Sequence, residues 1–120
     1  MKQTLEQKRA QHAWEKAGRY QSEHARFAKS LPALIMNSGL MQVMAFCNEK
    51  GQKTSQRHVD EVAQDLRDWL NCQLGTPAAF EAFIEHMMQA DSRRYQQVTT
   101  EAFAWLKWLR QMAAARAGGE

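Results

Sequence analysis

Residues 31–47 read LPALIMNSGLMQVMAFC, seventeen positions without one charged side chain. Wound as a helix at about 100° per residue, the stretch points large apolar groups almost everywhere. Leu34, Met41 and Met44 fall on one side, Ile35 and Phe46 on another, and Met36, Leu40, Val43 and Cys47 on a third. A helix apolar all round is normally buried all round. The stretch therefore predicts a central helix that the rest of the chain wraps. Ser30 is placed to cap it and Pro32 to sit in its first turn, where a missing N–H costs little. Gly39, halfway along, costs about 1 kcal/mol against Ala. Two readings fit it, close approach of another helix or a bend.

On either side the chain turns amphipathic. Thr4 and Gln7 form a capping box for a helix expected from Leu5 to Lys29. Its apolar stripe is Ala10, Ala13, Trp14, Ala17, Tyr20, His24, Phe27 and Ala28, at spacings of three and four. Beyond the central stretch, a third helix at 56–73 turns Val59, Val62, Leu66, Trp69 and Leu70 inward and Glu61, Asp65 and Asp68 outward, with Asp60 nearby. Thr76 and Pro77 mark the start of a fourth, with Phe80, Phe83, Ile84, Met87 and Met88 on its apolar face. Asp91 or Ser92 caps a fifth, which runs to Arg116 with Val98, Ala102, Trp105, Leu106 and Leu109 in its stripe. The expected architecture is all-α, a single compact bundle of about five helices spanning 1–120, with a disordered tail at about 117–120.

Composition supports this. Val, Ile and Thr total only eleven, Pro two, and no Asn-Gly or Asp-Gly hairpin turn occurs. Twenty residues are Leu, Ile, Val or Phe, few enough to raise disorder, but the net charge is only +3. Four Trp, seven Met and eighteen Ala supply the remaining apolar volume. The expected core is thin and leans on partners. Cys47 and Cys72 stand alone, without CxxC spacing, which fits a reduced, cytoplasmic protein. The N-terminus lacks a signal-peptide apolar run. The central stretch is too short and too polar in its middle for a membrane span.

Charge is distributed by segment: +4 over residues 1–29, zero over 30–48, −4 over 49–91 and +3 over 92–120. Lys8, Arg9, His12, Lys16, Arg19 and Arg26 line one face of the first helix over about 27 Å. Such a stripe spans several phosphates and would bind nucleic acid without sequence preference. A solvated face whose cations pair with Glu explains it equally well. Arg93 and Arg94 oppose the dipole at the start of the last helix, which favours use by a ligand. Asp60, Glu61, Asp65 and Asp68 form a candidate protein-docking face, as does Trp108 at the edge of the last stripe. No HExxH, zinc spacing, Gly-rich phosphate loop or nucleophile elbow is present. No catalytic residue, metal or cofactor is expected. A helical DNA-binding regulator, or another helical interaction module, is the alternative, although a third helix that exposes Asp and Glu suits DNA poorly.

Three segments carry a family resemblance. LPALIMNSGLMQVMAF is similar to the LPxxIxxxGLxxxxAF segment of the small helical subunit of type III-B CRISPR effectors, the Cmr family. The matching positions are Leu31, Pro32, Ile35, Gly39, Leu40, Ala45 and Phe46. Leu5–Glu15 resembles that family's opening helix and Asp91–Ala113 its closing helix, while 49–90 matches only in helical character. The resemblance implies a non-catalytic subunit in antiviral defence. It stacks in several copies as a minor filament beside a backbone subunit, bridges toward the large polymerase-like subunit and helps hold crRNA and target RNA.

Overall fold

The computed structural model describes residues 2–117. Helices α1 (Leu5–Ala17), α2 (Ser22–Ser38), α3 (Leu40–Lys50), α4 (Arg57–Leu74), α5 (Phe80–Gln89) and α6 (Ser92–Arg116) follow in order, with one 3-10 turn at Thr54–Gln56 before α4. The all-α expectation holds, but with six helices instead of five. Of the expected tail, Ala117 closes α6; 118–120 lie outside the described residues.

The extra helix comes from two breaks and one fusion. The expected first helix stops at Ala17. Gly18, Arg19 and Tyr20 continue through i−3 backbone bonds to Glu15, Lys16 and Ala17, a tightening typical of a helix end. The turn swings Tyr20 into the core, where it is 8% exposed. Helix α2 then begins at Ser22 and runs without interruption into the central stretch. Ser30 caps nothing; its hydroxyl donates to the Phe27 carbonyl at 2.8 Å. Pro32 lies inside the helix, not in its first turn, and offers Ala28 no N–H.

The second break falls at Gly39, and it decides between the two readings of that residue. Its backbone sits at φ +86°, ψ 154°, a region open almost only to glycine. A Cβ there would meet nothing nearer than the Tyr95 hydroxyl at 3.8 Å. The glycine serves a bend, and close approach is not its reason. The stretch is thus two helices, each burying one face: Leu31 and Ile35 in α2, Leu40, Val43, Met44 and Cys47 in α3. The all-round burial expected of it is not found, since Met36 is 77% and Phe46 43% exposed. Lack of charge does not ensure burial once an elbow splays the helix.

The centre of the molecule is α4 and α6. Val62, Leu66 and Leu70 of α4 and Val98, Trp105, Leu106 and Leu109 of α6 are almost fully buried. Helix α6 is capped as expected, with the Asp91 carboxylate accepting from the Arg94 N–H at 2.8 Å. The Thr4–Gln7 capping box is present at the head of α1. Thr76 is no cap: its hydroxyl is buried without a partner, and α5 starts only at Phe80. The linker between α4 and α5 is held instead by Asn71, which donates to the Thr76 carbonyl at 2.9 Å, and Arg67, which donates to the Ala78 carbonyl at 2.8 Å.

Gly39→Ala places a Cβ in unstrained space but on a strained backbone. The variant loses about 1–3 kcal/mol in chemical denaturation while its helical circular dichroism is retained. Unchanged stability contradicts the assignment of the elbow to this residue.

Candidate functional site

The basic face of the first helix and the acidic face of α4, read from the sequence as two surfaces for two partners, meet inside the molecule. Helix α1 runs parallel to α6: Arg9 reaches Glu101, His12 lies against Trp105, and Arg116 covers Trp14. Its other flank faces α4.

Glu101 is the hub on the α6 side. It is 8% exposed and receives Arg9 as a two-pronged fork, Nε at 2.7 Å and Nη2 at 2.8 Å. The indole N–H of Trp69 donates to the same carboxylate at 3.0 Å. Three donors at one desolvated carboxylate form a charge-assisted site with fixed geometry. The hydrogen bond that Arg9 donates to Glu101, set against the cost of burial, holds the Arg9 guanidinium above its ordinary value.

Asp65 is the second hub. It was expected on the solvent side of its helix but is 7% exposed, because Tyr20 and the α1–α2 turn close over it. Tyr20 donates to it at 2.8 Å, Arg19 at 3.1 Å, and the Lys16 ammonium stands 3.9 Å away. Burial pushes the Asp65 carboxyl up, against the hydrogen bond from Tyr20 and the charges of Arg19 and Lys16. Burial and the neighbouring Asp65 together push the Tyr20 phenol up. One turn on, Asp68 faces His12 Nε2 at 2.9 Å and Lys16 at 3.3 Å. Burial raises the Asp68 carboxyl, but the hydrogen bonds and charges of His12 and Lys16 outweigh it and hold the group below its ordinary 3.8.

The histidines serve the same docking. His12 is wedged between Trp69 and Trp105, with ring centroids 5.2 and 5.3 Å away. His24 Nδ1 accepts from the Gln21 N–H at 3.1 Å. Its Nε2 therefore carries the proton donated to Glu61 at 2.8 Å. His12, Asp68 and Cys72 bring three potential metal-ligand atoms within 4.8 Å of one another. The Asp68 carboxylate of this cluster already has a cation, the Lys16 ammonium, at 3.3 Å.

The remaining site residues divide by environment. Arg94 points inward, donating to the Leu74 carbonyl at 2.7 Å, to Gln97 at 2.8 Å and to His86 at 3.4 Å. It ties α6 to α4 and α5. Asp60 is half-buried and accepts from Gln64. Glu61 is exposed. Trp108 is half-buried against the core and lines a shallow groove with Glu6, Gln7 and Ala10. Lys8, Arg26 and Arg93 are exposed, and no described carboxylate lies within salt-bridge distance of them. Leu5 and Arg93 share one cleft, which brings the start of α1 beside the start of α6.

Glu101, Tyr20 and His12 were not singled out as docking residues from the sequence. Glu101 did leave a signal, a carboxylate three residues after Val98 in an otherwise apolar stripe. Tyr20 left none, because its role depends on a turn that the apolar periodicity ran straight through.

The Asp68 pairs imply a pH dependence. A carboxylate held below its unfolded value adds stability above that value and loses it as pH falls through the folded one. Wild type is therefore more stable than Asp68→Asn at pH 7, and the gap closes as pH falls below 3.8. Urea denaturation at a series of pH values checks this; a gap constant down to pH 2 contradicts it.

Against known proteins, the family model described as CRISPR-associated protein (Cas_Cmr5) matches residues 5–116. No curated protein matches the chain. The match runs from the first residue of α1 to the last of α6 and includes all three segments whose sequence resembled that family. The chain belongs to the Cmr5 family of CRISPR-associated proteins and is a Cmr-type subunit.

Proposed function

We propose that the chain is the non-catalytic small subunit of a type III-B CRISPR RNA-guided effector. It is repeated along a minor filament and helps hold guide and target RNA in cytoplasmic antiviral defence. The family match over 5–116 carries this reading. Two features are consistent with it. Among the described residues, most of the carboxylates and cations that cluster pair with one another in helix docking, as structural ion pairs do. No described helix is long and apolar enough to cross a membrane. The partners are the backbone subunit, the large polymerase-like subunit, further copies of the chain, and crRNA with its target.

The ion pairs direct where RNA contact is sought. Arg9, Lys16 and Arg94 are committed to carboxylates or carbonyls within the fold, and removing them costs structure before it costs binding. Arg19 is intermediate: it pairs with Asp65, yet its side chain is 68% exposed. We assign phosphate contact chiefly to Lys8 and Arg93, whose helices begin side by side, with Arg19 at the border. Arg26 lies apart, on the wall of a different cleft. Asp60, Glu61 and Trp108 remain accessible for docking a neighbouring subunit; Asp65 and Asp68 contribute there only through the surface they build.

Lys8→Glu with Arg93→Glu lowers target-RNA retention by the assembled complex and reduces the log–log salt slope of binding by about 1–2. The helical content and melting temperature of the free chain stay as in wild type. The chain co-purifies with the other effector subunits in either form. Failure to co-purify overturns the subunit assignment, whereas unchanged RNA retention overturns only the phosphate assignment.

A further inference from the structure

The elbow at Gly39 opens a cleft between α2 and α3 that the proposed RNA face does not use. Its floor and walls include Phe27, Leu34, Phe46 and His58, with Arg26 on the α2 side and Lys50 on the α3 side. The volume is 340 Å³. A smaller cavity of 180 Å³ continues it past Leu34 and Phe46 toward Val43. The Lys50 ammonium lies 5.7 Å from the centre of the Phe46 ring. Arg26 and Lys50 have no described carboxylate within salt-bridge distance. The one acid on the wall, Glu23, is turned to His58 at 3.8 Å. This is a basic-rimmed apolar groove.

The complementary surface is on α5. Glu81, Glu85 and Met88 lie at i, i+4 and i+7, on one helix face. All three are exposed, Met88 by 62%. No described cation lies within salt-bridge distance of either glutamate. The inner face of the same helix is satisfied, with Phe83 and Met87 in the core. An acidic stripe ending in a methionine matches the groove in charge and in having one apolar knob for one apolar cavity, the pattern of helix-in-groove docking.

The groove and the start of α5 lie toward opposite ends of α4. Val59, near its start, lines the groove, and α5 follows the turn beyond Leu74, about 22 Å further along the axis. The inner face of α5 packs on α3 and α4 and its outer face is turned to solvent, so the outer face meets the groove of another copy and not its own.

We propose that the outer face of α5 of one copy docks in the α2–α3 groove of the next. Glu81 and Glu85 then face Arg26 and Lys50, and Met88 enters between Leu34 and Phe46. The contact joins two different patches, so it is heterologous and continues from copy to copy. The inference rests on the reading of the chain as a repeated subunit, and it names the two faces that repeat.

A charge swap tests it by sedimentation velocity over a concentration series of the full chain. Wild type associates, and the association weakens with salt. Arg26→Glu/Lys50→Glu and Glu81→Lys/Glu85→Lys each place like charges on both surfaces, and each alone is about tenfold or more weaker in association. Mixed one to one, they present opposite charges at both junctions and recover association to about the wild-type level. A wild type that stays monomeric throughout, or variants that associate alone as wild type does, overturns the proposal. So does a mixture that recovers nothing. Loss of RNA binding by the Arg26/Lys50 variant with self-association intact assigns the groove to nucleic acid and also overturns it. None of these outcomes bears on co-purification with other effector subunits, which tests the underlying reading separately.

Discussion

Helix α1 is attached to the fold mainly by charge placed at buried carboxylates. It buries only Ala13 and Ala17 completely, too little apolar surface to hold thirteen residues in one register. What fixes it is a set of directional contacts: Arg9 forked onto Glu101, His12 and Lys16 on Asp68, and Arg19 with Tyr20 on Asp65. Replacing a buried ion pair as a whole by apolar residues is often neutral or better, whereas removing one partner strands the other and costs about 3–5 kcal/mol. The pairs therefore act chiefly as a register lock. Because α1 packs along both α4 and α6, its register sets where the α1–α2 turn falls. That turn in turn fixes the start of α2 and the side of the molecule on which the α2–α3 elbow opens.

Much of the fold was legible in the sequence because it rests on local physics. Helix formers without β-branched runs specify all-α, and Thr4, Gln7 and Asp91 cap where side-chain reach says they should. The apolar stripes of α4 and α6 are the observed core. What was not legible depends on contacts distant in sequence. Nothing local stops a helix at Ala17; Tyr20 leaves the helical path because Asp65, 45 residues away, accepts a hydrogen bond from its phenol O–H. Pro32 reads as a helix start by propensity, yet packing carries α2 straight through it. Gly39 was ambiguous because a bend and a close approach both require glycine, and only its φ of +86° and the space around it separate them.

The candidate site shows the same division. Sequence periodicity grouped Lys8 through Arg26 on one helix and Asp60 through Asp68 on another, whereas the structure divides the first group among α1, the turn after it and α2, and buries Asp65. It could not show that the two faces oppose each other. A basic stripe and an acidic stripe in one small chain are the simplest partners for one another, and burial of Asp65 follows from that pairing. The pairing also narrows the surface left for function. Exposed cations remain at the starts of α1 and α6 and on the walls of the α2–α3 groove, and exposed acids remain on α5. Family membership then gives these leftovers a context, a Cmr-type subunit whose neighbours meet its surface.

The register lock is tested most directly by a double-mutant cycle on Arg9 and Glu101. Arg9→Met, Glu101→Gln and the double variant are compared with wild type by equilibrium denaturation. Each single variant loses about 2–4 kcal/mol, and the double loses well under the sum, a coupling of about 2 kcal/mol. Strictly additive losses would show that Arg9 and Glu101 act independently and that α1 is held by something other than its buried carboxylate partners.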